Sequence, residues 1–358
     1  MLNHGGGIRQ AAINSGLPPD SWLDVSTGIN PHGWRVPAVP GSSWLRLPEE
    51  GDGLEASAKI YYKSDHLLPV AGSQAAIQAL SRLTENFRVA VLSPTYAEHA
   101  HAWGMRDNHQ ARLLFAPTPK HRVDQLSLSK LEDTLELYNV VVVVNPNNPT
   151  GRVLSKEKLR RWHLRMMTSG RALGEPRWLI VDEAFMDSTP EGSVISDVGE
   201  PGLIVLRSLG KFFGLAGARV GFIFAWPELL QSIQELLGPW PIAGPSRWVA
   251  RLALDDVGWQ KSTRSQLLQQ RDRLRALLSQ YGLDPTGGTT LFQWVERSRS
   301  QEMADLFQDR GVLIRHFKTL GGIRFGLPGE ESEWVRLEAS LSKIQSLVQL
   351  ESPAQKRV

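Results

Sequence analysis

Asn139-Val-Val-Val-Val-Val-Asn145-Pro-Asn-Asn-Pro-Thr-Gly151 is the stretch on which the fold turns. Five valines in a row leave no polar face, so a strand made of them has to be covered on both sides, as in a mostly parallel sheet. The prolines and glycine that follow end the strand and set a turn whose amides can hydrogen-bond a ligand. Outward from it, similar short apolar runs recur at 87–92, 113–116, 178–182, 203–206 and 220–225. Amphipathic stretches at 74–83, 128–137 and 156–167 lie between them. From about residue 71 to 224 this alternation predicts an α/β domain around a mostly parallel sheet flanked by helices.

Beyond residue 227 the pattern changes. A long helical region is expected over 245–281, then a strand at 290–295, a helix at 301–309, short strands at 312–315 and 322–325, and a last helix at 331–350. These make a smaller α+β domain. The first 40 or so residues are rich in proline and glycine, show little periodicity and are expected to wrap onto that smaller domain. The expected organisation is an amino-terminal segment (1–40), a large domain (41–240) and a small one (241–358).

Composition narrows the chemistry. The 358 residues suffice for about two domains. With 41% hydrophobic and 22% charged residues, the chain is a soluble globular protein rather than a disordered one. Forty Lys and Arg against 37 Asp and Glu leave a net charge of +3, which points to no nucleic-acid partner. The absence of cysteine excludes disulfides, thiolate zinc sites, iron–sulfur clusters and cysteine nucleophiles. The opening MLNHGGGIRQAAINSG lacks the apolar core of a secretory signal. The valine run is far short of the ~20 residues that cross a bilayer. A cytoplasmic protein with no membrane partner and no metal is expected.

Four segments carry the chemistry. In Ser208-Leu-Gly-Lys211-Phe-Phe-Gly-Leu-Ala-Gly-Ala-Arg219-Val-Gly-Phe222 a lysine sits among apolar neighbours. Burial disfavours the ammonium form and frees the amine as a nucleophile. Ser208 and Arg219 flank it and suit a phosphate. Trp178-Leu-Ile-Val-Asp182-Glu-Ala-Phe185 places a carboxylate at the carboxyl end of a buried strand, where ligands of open α/β sheets collect. The same string would suit a magnesium-holding strand of an ATPase, but the phosphate loop G-x-x-x-x-G-K-[ST] is absent from the chain. Val70-Ala-Gly72-Ser73-Gln74-Ala-Ala76 starts a helix whose first amides suit a phosphate. The Asn145–Gly151 turn is the fourth. Each alone has a bland reading: a surface lysine, a structural aspartate, a loop, an ordinary helix start.

In chain order, the Gly72 helix start, Pro94-Thr-Tyr96, the asparagine turn, Asp182-Glu-Ala-Phe185 and the lysine segment with Arg219, the segments resemble the fold-type I pyridoxal phosphate enzymes, the aspartate aminotransferase superfamily. The resemblance implies a large domain with a seven-stranded sheet and a smaller α+β domain. It implies pyridoxal 5'-phosphate as cofactor, with Lys211 binding it covalently and shuttling protons. Asp182 would hold the pyridine nitrogen protonated, Asn148 would bond the ring hydroxylate, and Tyr96 would stack on the ring. Gly72, Ser73, Gln74, Ser208 and Arg219 would bind the cofactor phosphate. Gly322-Ile-Arg324-Phe matches the family arginine that grips a substrate carboxylate. Family members form homodimers, which is the expected assembly here. Two positions depart from the family pattern. Phe185 stands where a tyrosine is common, and Leu47-Pro48 stands where Tyr-Pro reaches the partner subunit's cofactor phosphate.

Within the superfamily the chain is most similar to the threonine-phosphate decarboxylases of cobalamin biosynthesis, themselves similar to histidinol-phosphate aminotransferases. His4-Gly5-Gly6, Asp24-Val-Ser-Thr-Gly-Ile-Asn30-Pro31 and Asp-Glu-Ala-Phe185 carry this likeness. It implies PLP-dependent decarboxylation of a small phosphorylated amino acid, L-threonine O-3-phosphate, to (R)-1-amino-2-propanol O-2-phosphate. His4, Asn30 and Asn148 would lie beside the substrate, with Arg315 as a second anchor next to Arg324. The alternatives are a histidinol-phosphate-type aminotransferase, which removes the Cα hydrogen rather than the carboxylate, and a non-catalytic regulator on the same fold.

Overall fold

A computed structural model describes residues 4–104 and 121–349. The expected strand at 113–116 and the carboxyl-terminal ESPAQKRV lie outside the described residues. The chain forms two compact units, one of residues 34–148 and 152–260, the other of 1–33, 149–151 and 261–358.

The larger unit is built on a seven-stranded sheet in the order Leu67–Val70, Gly221–Phe224, Leu203–Ser208, Trp178–Asp182, Val140–Val144, Arg88–Leu92, Arg122–Leu126. Only Gly221–Phe224 runs antiparallel to its neighbours. Val140 and Val142 join one core cluster with Ile180, Ile204, Leu206 and Ile223, while Val141 and Val143 are equally buried. The valine run is thus covered on both faces, as its pattern requires. The strands Leu67–Val70 and Arg122–Leu126, which the apolar runs do not reveal, are the two edges of the sheet. One carries Pro69, tolerated at an edge, and the other mixes charged and apolar residues because it is only partly covered.

Beneath the ends of the central strands lies an ionic cluster. Arg207 donates to Asp187 (3.0 Å) and pairs with Glu183 (3.1 Å), and all three side chains are almost wholly buried. Glu183 also accepts from the Ser193 hydroxyl and the Val194 amide. Burial pushes the Glu183 carboxyl up, and the adjacent guanidinium opposes that push. The cluster joins the residue after Asp182 to the residue before Ser208.

The unit boundaries fall at 33/34 and 260/261 rather than at 40/41 and 240/241. The helix Gly244–Asp255 belongs to the larger unit because Arg247 bonds both Asp52 (2.7 and 2.8 Å) and Glu55 (2.8 Å). The expected helix 245–281 is two helices, Gly244–Asp255 and Val257–Gln280. Asp256 interrupts it, its carboxylate accepting from the Trp259 amide and the Trp34 indole.

The smaller unit holds a four-stranded antiparallel sheet, ordered Arg315–Phe317, Gly322–Gly326, Phe292–Glu296, Gly287–Gly288. The single strand expected at 312–315 divides at Ile314. Val312–Leu313 pairs in parallel with Leu23–Asp24 instead. The amino-terminal segment also holds a helix, Ile8–Ser15, whose Ala11 and Ala12 pack against Trp22. Its apolar face is two alanines wide, too faint a stripe to read as periodic.

Arg207→Met leaves two buried carboxylates without their cation. It is expected to lower stability by about 3–5 kcal/mol, seen as a fall in the urea midpoint; an unchanged midpoint would show that the cluster carries no such load.

Candidate active site

Parallel strands deliver their following residues to one edge of the sheet. Val70, Gly221 and Ser208 lie in one register row, and Val144, Asp182 and Leu206 in another. Gly72, Ser73, Asn145, Asp182 and Ser208 therefore gather along the carboxyl edge, the edge where open α/β sheets bind ligands.

Asp182 is 3% exposed and fully engaged. Its Oδ1 accepts from the Ala184 amide (3.0 Å), and its Oδ2 lies 2.9 Å from His99 Nε2. A buried carboxylate needs such partners. Neither His99 nor His101 belongs to the segments that the sequence singles out. The structure separates the two, His99 buried and His101 exposed. The readable signal was its place three residues after Tyr96, about one helical turn on. The two rings meet edge to face, centroids 6.1 Å apart.

Tyr96 is held by its surroundings. Its hydroxyl donates to Gln74 Oε1 (3.3 Å), whose Nε2 donates to Glu98 (2.9 Å). Burial, then the carboxylates of Glu98 and Asp182, push the Tyr96 phenol up to about 12, so it keeps its proton. Gln74 thereby has its side chain committed to Tyr96 and Glu98. Thr95 Oγ1 donates to Asn147 Oδ1 (2.8 Å), and Asn147 Nδ2 donates to the Pro94 carbonyl (3.0 Å). These two bonds fix the Tyr96 loop on the asparagine turn, and Asn148 is the next residue of that turn. Asn145 closes the turn from within through both bonds to Leu154.

The helix Gly72–Leu80 begins beside Arg219. Gly72 has φ +71°, and a Cβ there would stand 2.6 Å from Arg219 Nη2. A Cβ on Gly221 would strike the Ser73 amide nitrogen at 2.6 Å. Glycine at both positions leaves a cradle of helix amides, guanidinium and the Ser208 hydroxyl, a donor set suited to a phosphate. Lys211 is half-buried, its Nζ 5.6 Å from the Phe185 ring centroid, with Leu209, Phe212 and Phe213 buried around it. Phe185 thus offers a ring face where a tyrosine would add a hydroxyl. Leu47 is 62% exposed.

The smaller unit holds a separate group. Arg315 and Arg324 are directly opposed on adjacent antiparallel strands. Arg324 lies 5.2 Å from the Phe292 ring centroid, Arg315 lies 4.8 Å from that of Phe317, and Arg324 donates to the Ser26 carbonyl (2.6 Å). Burial, then the charge of Arg315, pulls Arg324 down to about 10, while Asp24 opposes the fall; burial also lowers Arg315. Like charges directly opposed across a strand pair repel, and a bound anion would relieve them. Asn30 is buried, its Oδ1 accepting from the His32 amide (2.9 Å). His4 is exposed, ahead of the first helix.

Residues 53–349 match the family model for aminotransferase class I and II. The chain is 48% identical over 341 residues to a threonine-phosphate decarboxylase of Pseudomonas aeruginosa, covering 95% of this chain and 97% of that one. It is 38% identical over 349 residues to a threonine-phosphate decarboxylase of a Sinorhizobium species, covering 96% and 98%. A crystal structure of histidinol-phosphate aminotransferase from Sinorhizobium meliloti in complex with pyridoxal-5'-phosphate superposes with a TM-score of 0.78 at 17% identity, over 97% of this chain and 96% of that one, and so shares the fold.

The lowered Arg324 sets a pH limit. Sulfate keeps its charge across the alkaline range, so its affinity at the pair should hold up to pH about 10 and then weaken about tenfold per unit. Calorimetric titration of the wild type against Arg324→Ala isolates this site; affinity unchanged to pH 11.5 would refute the lowered guanidinium.

Proposed function

The chain belongs to the aminotransferase class I and II family, and from that premise we propose that it decarboxylates L-threonine O-3-phosphate to (R)-1-amino-2-propanol O-2-phosphate, using pyridoxal 5'-phosphate, in cobalamin biosynthesis. The observation that carries this reading is the opposed Arg315 and Arg324, two cations in one register pair where a substrate with a phosphate and a carboxylate offers two anions. The names borne by relatives along nearly the whole chain support the same substrate.

The residues of the larger unit fit the cofactor. The Gly72–Arg219 cradle suits its phosphate, the partnered carboxylate of Asp182 suits a protonated pyridine nitrogen, and Lys211 offers the amine. When bound, pyridoxal phosphate supplies an electron sink for the pair left behind as carbon dioxide departs. Asp182 would hold a proton on the ring nitrogen, and His99, 2.9 Å from Oδ2, keeps that carboxylate oriented. Tyr96, neutral to about pH 12, contributes a stacking face. Asn148 would donate to the ring oxygen, the bond that Phe185 cannot add. Arg324, with Arg315, His4 and Asn30, would hold the substrate's anions and so select the bond to the carboxylate, rather than that to hydrogen, for cleavage. Lys211 Nζ then returns a proton to Cα, replacing the carbon dioxide lost.

We also assign a homodimer. Trp44, Leu45 and Leu47 are 69%, 87% and 62% exposed within four residues, an apolar patch suited to a second copy. Leu45→Glu should shift the mass in light scattering from dimer toward monomer; a wild-type chain that runs as a monomer would refute the assignment.

Phosphorus NMR of the holoenzyme with L-threonine O-3-phosphate and no oxo acid should show complete conversion over many turnovers. Turnover only of histidinol phosphate with 2-oxoglutarate would mean transamination instead. Lys211→Ala should lose the visible absorbance of the bound cofactor and at least about 10²–10⁴ of the rate; wild-type turnover in that variant would sink the lysine assignment.

A further inference from the structure

Ser26 is 1% exposed, and all of its polar groups are in use. Its hydroxyl accepts from the Gly6 amide (2.7 Å) and donates to Asp24 Oδ1 (2.6 Å). Its own amide donates to the same Asp24 oxygen (2.8 Å). Its carbonyl accepts from Arg324 Nη2 (2.6 Å). One residue thus touches both the amino-terminal His4-Gly5-Gly6 segment and the buried arginine.

The two glycines show how close this docking is. A Cβ on Gly5 would lie 2.5 Å from the Ser26 carbonyl oxygen, the atom that Arg324 grips. Gly6 has φ +85°, in the left-handed region where side chains are strained, and presents its amide to the Ser26 hydroxyl. Asp24 anchors the arrangement from below, on the short strand whose register partner is Leu313, two residues before Arg315. Its carboxylate is also the charge that opposes the lowering of Arg324.

We infer that Ser26, held by Asp24, is a positioning residue that sets His4 at a fixed place relative to Arg324, and thereby sets the preference for a phosphorylated substrate. The inference rests on the proposed function, in which His4 is one of the residues that hold the substrate's anions. Replacing Ser26 by alanine removes the hydroxyl that holds Gly6 but leaves the backbone carbonyl that Arg324 uses. The loss therefore falls on His4 and not on the arginine.

The experiment compares wild type, His4→Ala, Ser26→Ala and the double variant as holoenzymes. Two readouts are used: hydrogen–deuterium exchange of the peptide holding residues 4–7, and steady-state kinetics with L-threonine O-3-phosphate. Ser26→Ala should speed exchange in that peptide while exchange in the strand Gly322–Gly326 stays as in wild type. It should raise KM about tenfold, with kcat within about threefold, and the double variant should be no worse than either single one. Additive losses, an unchanged KM, or unchanged exchange at residues 4–7 would overturn the inference, and general unfolding would show as faster exchange in Gly322–Gly326 as well. A wild type that does not turn over L-threonine O-3-phosphate would refute the proposed activity. The exchange comparison would still decide whether Ser26 holds the segment.

Discussion

A charge buried at the end of a strand organises the larger unit. Asp182 closes a run of four apolar residues that are themselves almost wholly buried, and an ionised carboxylate in that position is stable only if its lone pairs are satisfied. The Ala184 amide satisfies one oxygen and His99 the other. Meeting that demand ties the helix Ala97–Gly104 to the edge of the sheet, and with it Tyr96 and the glutamine and glutamate that hold Tyr96 in place. The next residue, Glu183, turns the opposite way into the pair with Arg207, which leads into Ser208. The strand ends that carry the acid and the lysine segment are thus braced by ionic contacts.

The smaller unit works by a different constraint. Arg315 and Arg324 are placed opposite each other by strand register, and the carboxylate of Asp24 opposes the lowering of Arg324. Two like charges set opposite each other in this way are what the proposed dianionic substrate would bridge. Phe292 and Phe317 supply ring faces for the guanidiniums and hold them without neutralising them.

Much of this could be read along the chain. The valine run gave its strand within a residue at each end, because a segment covered on both faces has only one way to be apolar throughout. The lysine segment, Asp182 and the Gly72 helix start were legible because each is a short local motif whose backbone shape its own residues dictate. The edge strands were not, since a half-covered strand keeps charged residues and resembles a loop. The helix Ile8–Ser15 was missed for the same reason in helical form, its buried face being two alanines. The break at Asp256 falls in Asp255-Asp256-Val257-Gly258, all poor helix formers, but the apolar periodicity continues across it, and the side-chain bonds to Trp259 and Trp34 fix where the second helix starts.

Residue type and spacing within a few positions were enough for the fold class and the family, and to nominate the residues proposed for the chemistry. The tertiary structure alone decided which of those residues meet. His99 reaches Asp182 from 83 residues away, Gly6 reaches Ser26 across 20, and Arg324 reaches the Ser26 carbonyl across 298. Such pairings follow from how the strands are ordered and in what register, and no local pattern encodes either. The burial that lowers Arg324 and raises Tyr96 is likewise a property of what the fold stacks around them.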